Sequence, residues 1–292
     1  MIRALFLTSR PLSWVNTAFP FAAAYLMTTR QVDATLIVGT LFFLIPYNFA
    51  MYGINDVFDY ESDLRNPRKG GVEGALLDPK WHRLVLWLSG ILALPFVVYL
   101  VVVGGPASWI ALAISLFAVV AYSAKGLRFK ERPFLDSLTS ATHFVSPAVY
   151  GLLLAGATFT SGLYALLTAF FLWGAASHAF GAVQDVGADR DGGIGSVATV
   201  IGARRTVRLS VTLYLLAGIL LLATEWPGPL AAVLALPYVV NALPWWNVTD
   251  EAAPSANRGW RRFLWLNFVT GFAVTMLLIA YVLVRSTAAS AY

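Results

Sequence analysis

The chain has 292 residues, of which 59% are hydrophobic and only 12% are charged, and its formal net charge is +5. An ordinary soluble domain has about 45–50% apolar and about 25% charged residues, so this much apolar surface cannot be hidden in one water-soluble core. This composition is not that of a disordered chain or of a protein whose main function is to bind nucleic acid. The chain has no cysteine, which excludes a disulfide scaffold, a thiolate zinc site and a cysteine nucleophile.

Nine mostly apolar segments follow one another along the chain, each near the roughly 20 residues that a helix needs to cross a bilayer. They are predicted to run over 11–29, 34–55, 84–104, 107–124, 135–156, 160–183, 207–224, 228–246 and 262–284. These segments leave no separate soluble domain. We therefore predict an all-α, polytopic membrane protein that forms a single transmembrane domain over 1–292 as a bundle of nine helices.

The basic residues lie almost entirely before the first segment or in the connections that follow even-numbered segments. Eighteen of the 20 lysines and arginines do so, the exceptions being Arg30 and Arg285. By the positive-inside rule, this bias predicts a multi-pass protein of the cell membrane with a cytoplasmic N-terminus and an external C-terminus. The acidic residues share this side, except Asp33 and Glu225. The rule does not require that, so another explanation is needed.

An acidic cluster closes the second segment. Asp56, Asp59 and Asp63 are spaced i, i+3 and i+7, so they share one face if the helix continues through them. Asn55 borders that face. The cluster is either a solvated helix end rich in aspartate or a ligand group for a cation.

A second acidic pair, Asp185 and Asp189, follows the sixth segment at i and i+4. Stacked carboxylates at a helix C-terminus repel one another and oppose the helix dipole, so a cation should offset their charge. Mg²⁺ prefers oxygen ligands and binds through one or two carboxylates together with substrate phosphates. Two such groups on one side of the membrane favour a metal site over two solvated helix ends. The predicted metal ligands are Asn55, Asp56, Asp59, Asp63, Asp185 and Asp189.

A basic loop follows the fourth segment and begins at Tyr122. Its density of charge is partly explained by topology alone. Its functional interpretation is an anion clamp, because arginine binds phosphate through two nitrogens and lysine adds a point charge. Lys125 and Arg128 are the main candidates, and Arg65, Arg68 and Lys69 could join them. Together with the acidic clusters, this loop predicts a diphosphate site.

The three motifs together resemble the UbiA superfamily of intramembrane prenyltransferases. They are Asn-Asp-x-x-Asp-x-x-x-Asp from Asn55, Tyr-x-x-Lys from Tyr122 and Asp-x-x-x-Asp from Asp185. Nine helices with an external C-terminus fit the same superfamily. Flanking stretches, such as the one from Phe42 to Asn48, are similar to the lycopene elongases of C50 carotenoid biosynthesis.

The resemblance implies a reaction and a set of site residues. Two Mg²⁺ ions would bridge the diphosphate of dimethylallyl diphosphate, and the dimethylallyl group would pass to the ends of lycopene or a similar apolar acceptor, in some relatives with hydration. The implied residues are, for catalysis, Asp56, Asp59, Lys125, Arg128, Asp185 and Asp189, and, for substrate binding, Asn55, Arg65, Arg68, Lys69, Tyr122, Lys125, Arg128 and His178.

The sixth segment suggests where the acceptor lies. Gly181 lies on or near the face of Asp185, so space is expected beside the acidic pair. His178, two turns deeper, is either a hydrogen-bonded packing residue or a proton acceptor. The second and sixth segments offer few other polar groups this deep: Asn48, Tyr52 and Ser177, which either line the pocket or bond between helices. Because a buried carboxylate needs a polar partner, this scarcity favours an apolar acceptor.

Two other functions stay open. A UbiA-type enzyme acting on an aromatic or quinone precursor, or on a lipid, would use the same aspartates. A cation transporter could use the acidic clusters as its binding site. Transporter sites typically lie near the bilayer midplane on broken helices, whereas both clusters lie at predicted helix ends, which disfavours transport.

Overall fold

The computed structural model describes residues 2–64 and 76–289. Within these ranges every regular element is helical, so the all-α prediction is confirmed. The chain divides into two compact units, the first formed by residues up to Phe129 with Thr142–Ala157, and the second by Lys130–Ala141 with residues from Thr158 onward. The single domain over 1–292 stays a prediction.

The first unit contains seven complete α-helices and the larger part of an eighth. They are α1 (Ile2–Thr8), α2 (Val15–Thr29), α3 (Ala34–Leu44), α4 (Pro46–Phe58), α5 (Tyr60–Asp63), α6 (His82–Val103), α7 (Pro106–Ser123) and α8 (Leu135–Leu154). Its core is aromatic: Phe21, Phe43 and Tyr150 are fully buried, and their rings lie 5.2–6.0 Å apart. These side chains hold the helices that carry the first acidic cluster.

The second predicted segment is a broken helix, because Pro46 has no N–H to donate to the preceding turn. Two carbonyls at the break, those of Phe43 and Leu44, accept hydrogen bonds from side chains. Asn48 Nδ2 donates to the carbonyls of Phe43 and Leu44 at 2.8 and 3.1 Å, and Thr17 Oγ1 donates to Phe43 at 2.7 Å. Exposed carbonyls are costly inside a membrane, so these bonds stabilise the break. Asn48 therefore serves the backbone rather than a substrate pocket.

The second unit contains the first turns of α8 and six further helices. They are α9 (Ser161–Val183), α10 (Val186–Asp191), α11 (Val197–Ile201), α12 (Ala203–Leu221), α13 (Leu236–Ala242) and α14 (Asn257–Ala289). Ser177 Oγ on α9 lies 3.1 Å from the Tyr214 hydroxyl on α12, and Phe180 is buried between neighbouring side chains. Packing therefore explains both residues.

Six helical stretches of the described residues are long and apolar enough to cross a membrane. They are Ala34–Phe58, Pro79–Val103, Pro106–Ser123, Ser161–Val183, Gly228–Trp245 and Ala253–Ser286. The chain is thus a multi-pass membrane protein, but the count of nine spans is not confirmed. The first, fifth and seventh predicted segments do form helices, α2, α8 and α12. The first of these has only 15 residues, and α12 begins with three arginines in its first two turns, Arg204, Arg205 and Arg208.

Candidate active site

The first acidic cluster is buried. Asp56 is 1% exposed and Asp59 5% exposed, and Asn55 is also buried. These values contradict a solvated helix end for this cluster. The helix does not continue as predicted, because α4 ends at Phe58 and Asp59 is its C-cap, with the Asp59 N–H still donating to the Asn55 carbonyl at 2.9 Å. The Asp63 side chain lies outside the described residues.

Two arginines supply the positive charge that the buried carboxylates require. Arg10 Nη2 lies 2.9 Å from Asp56 Oδ1, and its guanidinium carbon stands 4.3 Å from the centre of the Tyr52 ring. Arg128 Nη2 lies 3.8 Å from Asp59 Oδ1, and Arg128 Nη1 donates to the Phe58 carbonyl at 3.4 Å. Arg128 was predicted in this site, whereas Arg10 was assigned only to topology. No local spacing relates it to Asp56.

This half of the site offers the oxygen ligands that a hard divalent ion prefers. Two carboxylates and the Asn55 amide lie within one turn of α4, and Ser123 Oγ donates to Asn55 Oδ1 at 3.1 Å. The donor set therefore fits Mg²⁺. Among residues 2–64 and 76–289, no group of three or more histidine, aspartate or glutamate side chains meets the geometry of a metal site.

The other residues predicted to bind the anion lie in different surroundings. Tyr122 lies in α7 with its ring packed edge-on against His143, at a centroid distance of 5.3 Å. Lys125 is exposed in the turn that follows α7. Arg65, Arg68 and Lys69 lie outside the described residues. The roles of Lys125 and of these three stay predictions.

The second acidic pair lies in a helix of its own. The long helix α9 ends at Val183, and Asp185 is the N-cap of α10, which contains Asp189. The Asp189 N–H donates to the Asp185 carbonyl at 2.8 Å, so the predicted i, i+4 relation is retained. Asn257 Nδ2 fixes the intervening turn by donating to Gln184 Oε1 at 2.6 Å. Both aspartates are half-buried.

His178 is bonded to α8, and the space expected beside Gly181 is filled. Its Nδ1 lies 3.2 Å from Ser137 Oγ. A Cβ added to Gly181 would lie 2.9 Å from the Trp260 ring. The expectation that Gly181 leaves room for an acceptor is therefore wrong, because an aromatic side chain distant in sequence occupies that space. The neighbouring Asp136 is fully buried, and sequence reasoning assigned it no role.

Asp250 holds the start of α12. Its Oδ1 accepts from the Ala203 N–H at 2.7 Å, and its Oδ2 pairs with Arg190. These hydrogen bonds, chiefly the one from the Ala203 backbone, lower the pKa of the Asp250 carboxyl. A lowered pKa stabilises the folded protein above the unfolded pKa, about 3.9, and this contribution is lost as pH falls through the folded pKa.

We expect Asp250→Asn to lower the thermal unfolding temperature at neutral pH. The effect should be small, about 1 kcal/mol or less, because the ion pair is partly exposed. The difference between variant and wild type should shrink as pH falls below about 4. Thermal unfolding in detergent at neutral and acidic pH measures it, and a difference that grows in acid would contradict it.

We expect Arg128→Lys to insert normally but to use the anionic substrate less well. Two nitrogens of Arg128 reach separate acceptors, Asp59 and Phe58, and a lysine ammonium lacks this geometry. A hydrogen bond to a charged group contributes about 1.5–3 kcal/mol, so kcat/KM for a diphosphate donor should fall by roughly tenfold or more. Arg83→Lys, at an exposed position, is the matched control. If Arg128→Lys and wild type had equal kinetics, Arg128 would contribute only to the orientation of the protein in the membrane.

Comparisons with known proteins all point to one protein family. The model of the UbiA prenyltransferase family matches residues 17–269. A protein of Corynebacterium glutamicum named lycopene elongase/hydratase is 54% identical over 96% of this chain and 97% of its own length. A protein of Dietzia sp. strain CQ4, named C(50) beta-cyclic carotenoids biosynthesis protein LbtBC, is 56% identical over 98% of this chain, which spans 66% of that protein.

The fold is also similar to solved structures. A UbiA homolog from Archaeoglobus fulgidus bound to DMAPP and Mg²⁺ matches with a TM-score of 0.69 and 19% identity, over 91% of this chain and 98% of that one. At this identity the likeness concerns the fold alone.

Proposed function

Because the chain belongs to the UbiA prenyltransferase family, we propose that it transfers a dimethylallyl group from dimethylallyl diphosphate to the ends of lycopene. It would act as a lycopene elongase of C50 carotenoid biosynthesis, with hydration of the product as a further activity. The observation that carries this proposal is the 54% identity, over nearly the full length of both chains, to a lycopene elongase/hydratase.

The buried carboxylates and their arginines support the donor half of the proposal. Asn55, Asp56, Asp59 and Asp63 would hold one Mg²⁺ ion, and Asp185 and Asp189 a second. When bound, Mg²⁺ neutralises the charge that develops on the departing diphosphate. Arg10 and Arg128 already lie at the first cluster and would bind diphosphate oxygens, with Lys125 at the exposed edge and Arg65, Arg68, Lys69 and Tyr122 as further contacts. Positive charge placed where negative charge develops lowers the barrier to ionisation.

The acceptor half rests on how few polar side chains the described residues of α4 and α9 carry deeper than the acidic clusters. Asn48 bonds to backbone carbonyls, Ser177 to Tyr214, and the Tyr52 ring lies beneath Arg10. An aromatic acid would need a polar partner of its own, since burying an unpaired carboxylate is costly. A hydrocarbon such as lycopene needs none. His178 would lie along the acceptor.

The two other functions fit less well. An aromatic, quinone-precursor or lipid acceptor would use the same aspartates, but the described residues of α4 and α9 carry few polar side chains to receive it. A cation transporter would be expected to bind its ion where a helix is broken near the midplane. At the break at Pro46, Asn48 and Thr17 donate to the carbonyls of Phe43 and Leu44, which leaves these carbonyls less able to bind a cation.

The proposed setting is the cell membrane, with membrane lipid around a single transmembrane domain over 1–292. The N-terminus would be cytoplasmic and the C-terminus external. A water-soluble donor would then enter from the cytoplasm, while lycopene would arrive from the lipid. The one-sided placement of 18 of 20 basic residues supports this orientation.

Membranes containing the protein should convert lycopene, given dimethylallyl diphosphate and Mg²⁺, first to a mono-prenylated and then to a di-prenylated carotenoid. Mass analysis of the pigments measures both products. If lycopene stays unchanged while 4-hydroxybenzoate is prenylated, the family assignment survives and the proposed acceptor is wrong.

Turnover should be abolished by excess EDTA and restored by Mg²⁺, because the clustered carboxylates would otherwise repel the diphosphate. The readout is pigment formation together with donor binding in the same preparation. A thermal unfolding temperature that does not change with EDTA would exclude loss of the fold as the cause. Full activity in excess chelator would contradict the metal-dependent site.

A further inference from the structure

A polar cluster on α8 and α9 is not used by the donor site. Asp136 and Ser137 lie in the first turn of α8 and are both buried, Asp136 fully. Ser137 Oγ lies 3.2 Å from His178 Nδ1, and Asp136 precedes Ser137 in the same turn. All three residues belong to the second unit.

The Asp136 carboxylate is only half satisfied. Its Oδ2 accepts from the Val197 N–H at 2.9 Å, which fixes the start of α11. For its Oδ1, no hydrogen-bond donor lies within reach among the described residues, although the atom is buried. An unsatisfied buried carboxylate oxygen is expensive, and the bond to Val197 needs only one of the two oxygens. The second oxygen therefore requires an explanation beyond helix capping.

The proposed reaction requires a proton acceptor away from the diphosphate. When the dimethylallyl cation adds to an end double bond of lycopene, a carbon–carbon bond forms and a tertiary cation remains. That cation is discharged in one of two ways. A neighbouring C–H bond breaks and its electron pair forms an alkene, or a water oxygen forms a C–O bond. In both cases one proton must leave.

We propose that His178 accepts this proton and that Asp136 stabilises the imidazolium that results; this inference rests on the proposed function. With Nδ1–H donating to Ser137 Oγ, the lone pair of His178 lies on Nε2, which takes the proton. His178 lies five residues before Val183, the last residue of α9, and so roughly 8 Å from that end of the helix. Asp136 and Ser137 are then positioning residues, and the free Asp136 oxygen supplies the charge that imidazolium needs.

The test compares two products of one reaction: diphosphate released and prenylated carotenoid formed. In His178→Gln, donor ionisation should persist while carotenoid per diphosphate falls by about a hundredfold, the typical effect of removing a general base. Asp136→Asn keeps an oxygen for the Val197 N–H but loses the charge, and the same ratio should fall by about tenfold. Asp136→Glu should recover part of it.

The matched control is Asp250→Asn. Asp250 also accepts a backbone N–H at the start of a helix, but its partner is Arg190 rather than a histidine. This variant should leave the ratio of carotenoid to diphosphate at the wild-type value. An Asp136→Asn protein with the wild-type ratio would overturn the proposal and leave Asp136 as a helix cap.

Two further results separate the possibilities. If His178→Gln and Asp136→Asn lose diphosphate release and carotenoid in parallel, these residues act on ionisation or on the fold, and the proton-acceptor role is wrong. If the wild type prenylates 4-hydroxybenzoate instead of lycopene, the proposed function fails. The ratio of prenylated product to diphosphate with that acceptor then tests His178 and Asp136 independently.

Discussion

Replacing Asp56 or Asp59 with asparagine should lower prenyl transfer by about a hundredfold or more. Each change removes a charged ligand of the proposed metal, and the loss should cost several kcal/mol of transition-state stabilisation, at about 1.4 kcal/mol per tenfold. Both carboxylates are buried, so no nearby solvent can replace them. The measurement is carotenoid formation in membranes with matched amounts of inserted protein.

Each of these variants also removes the negative charge beside an arginine, Arg10 for Asp56 and Arg128 for Asp59. Asp56→Asn weakens the ion pair to Arg10, and breaking a buried pair by removing one member is destabilising. Thermal unfolding in detergent should therefore accompany the activity assay. A loss of activity that greatly exceeds the loss of folded protein identifies the chemical role.

Asp33→Asn is the control for charge loss in a well-bonded aspartate. Asp33 accepts from the Leu36 N–H at 2.8 Å and from the Tyr25 hydroxyl at 2.9 Å, and the backbone bond lowers its pKa. It lies on the predicted external side, so its removal should leave prenyl transfer near wild type. If Asp33→Asn proved as damaging as Asp56→Asn, the prediction that the site lies on the cytoplasmic side alone would be wrong.

Replacing Asp185 or Asp189 with asparagine should also lower prenyl transfer by about a hundredfold, since each would remove a ligand of the second proposed ion. Both substitutions keep the backbone bond from the Asp189 N–H to the Asp185 carbonyl, so α10 should persist. Initial rates at saturating Mg²⁺ and at low Mg²⁺ measure the effect. Partial recovery of the variants at high Mg²⁺ would identify weakened metal binding.

Asp191→Asn is the matched control within the same helix. Asp191 is exposed at the end of α10 and belongs to neither predicted ligand pair. It should retain nearly full activity. Equal losses for Asp191→Asn and Asp189→Asn would indicate that the general charge of this helix matters, rather than a ligand pair.

Much of the site was predictable because its relations are local. Asp56 with Asp59, and Asp185 with Asp189, are related by one helical turn, and the Asp59 N–H donates to the Asn55 carbonyl as the Asp189 N–H does to the Asp185 carbonyl. The prediction failed where a local rule was extended too far. Separate short helices follow α4 and α9, so Asp63 and the Asp185–Asp189 pair do not continue the helix before them, whereas Asp56 lies in α4 and Asp59 caps it.

By itself the sequence determined the helical class, the membrane setting and the two acidic motifs, since hydrophobic length and i, i+3 or i, i+4 spacing are local properties. Only the tertiary structure decided which charges meet. Arg10 reaches Asp56 across 46 residues, and Asp136 reaches Val197 across 61. It also decided that Trp260 fills the space beside Gly181. Such contacts arise because packing brings distant segments together to bury apolar surface and satisfy buried charges, and no periodicity along the chain encodes which segments those are.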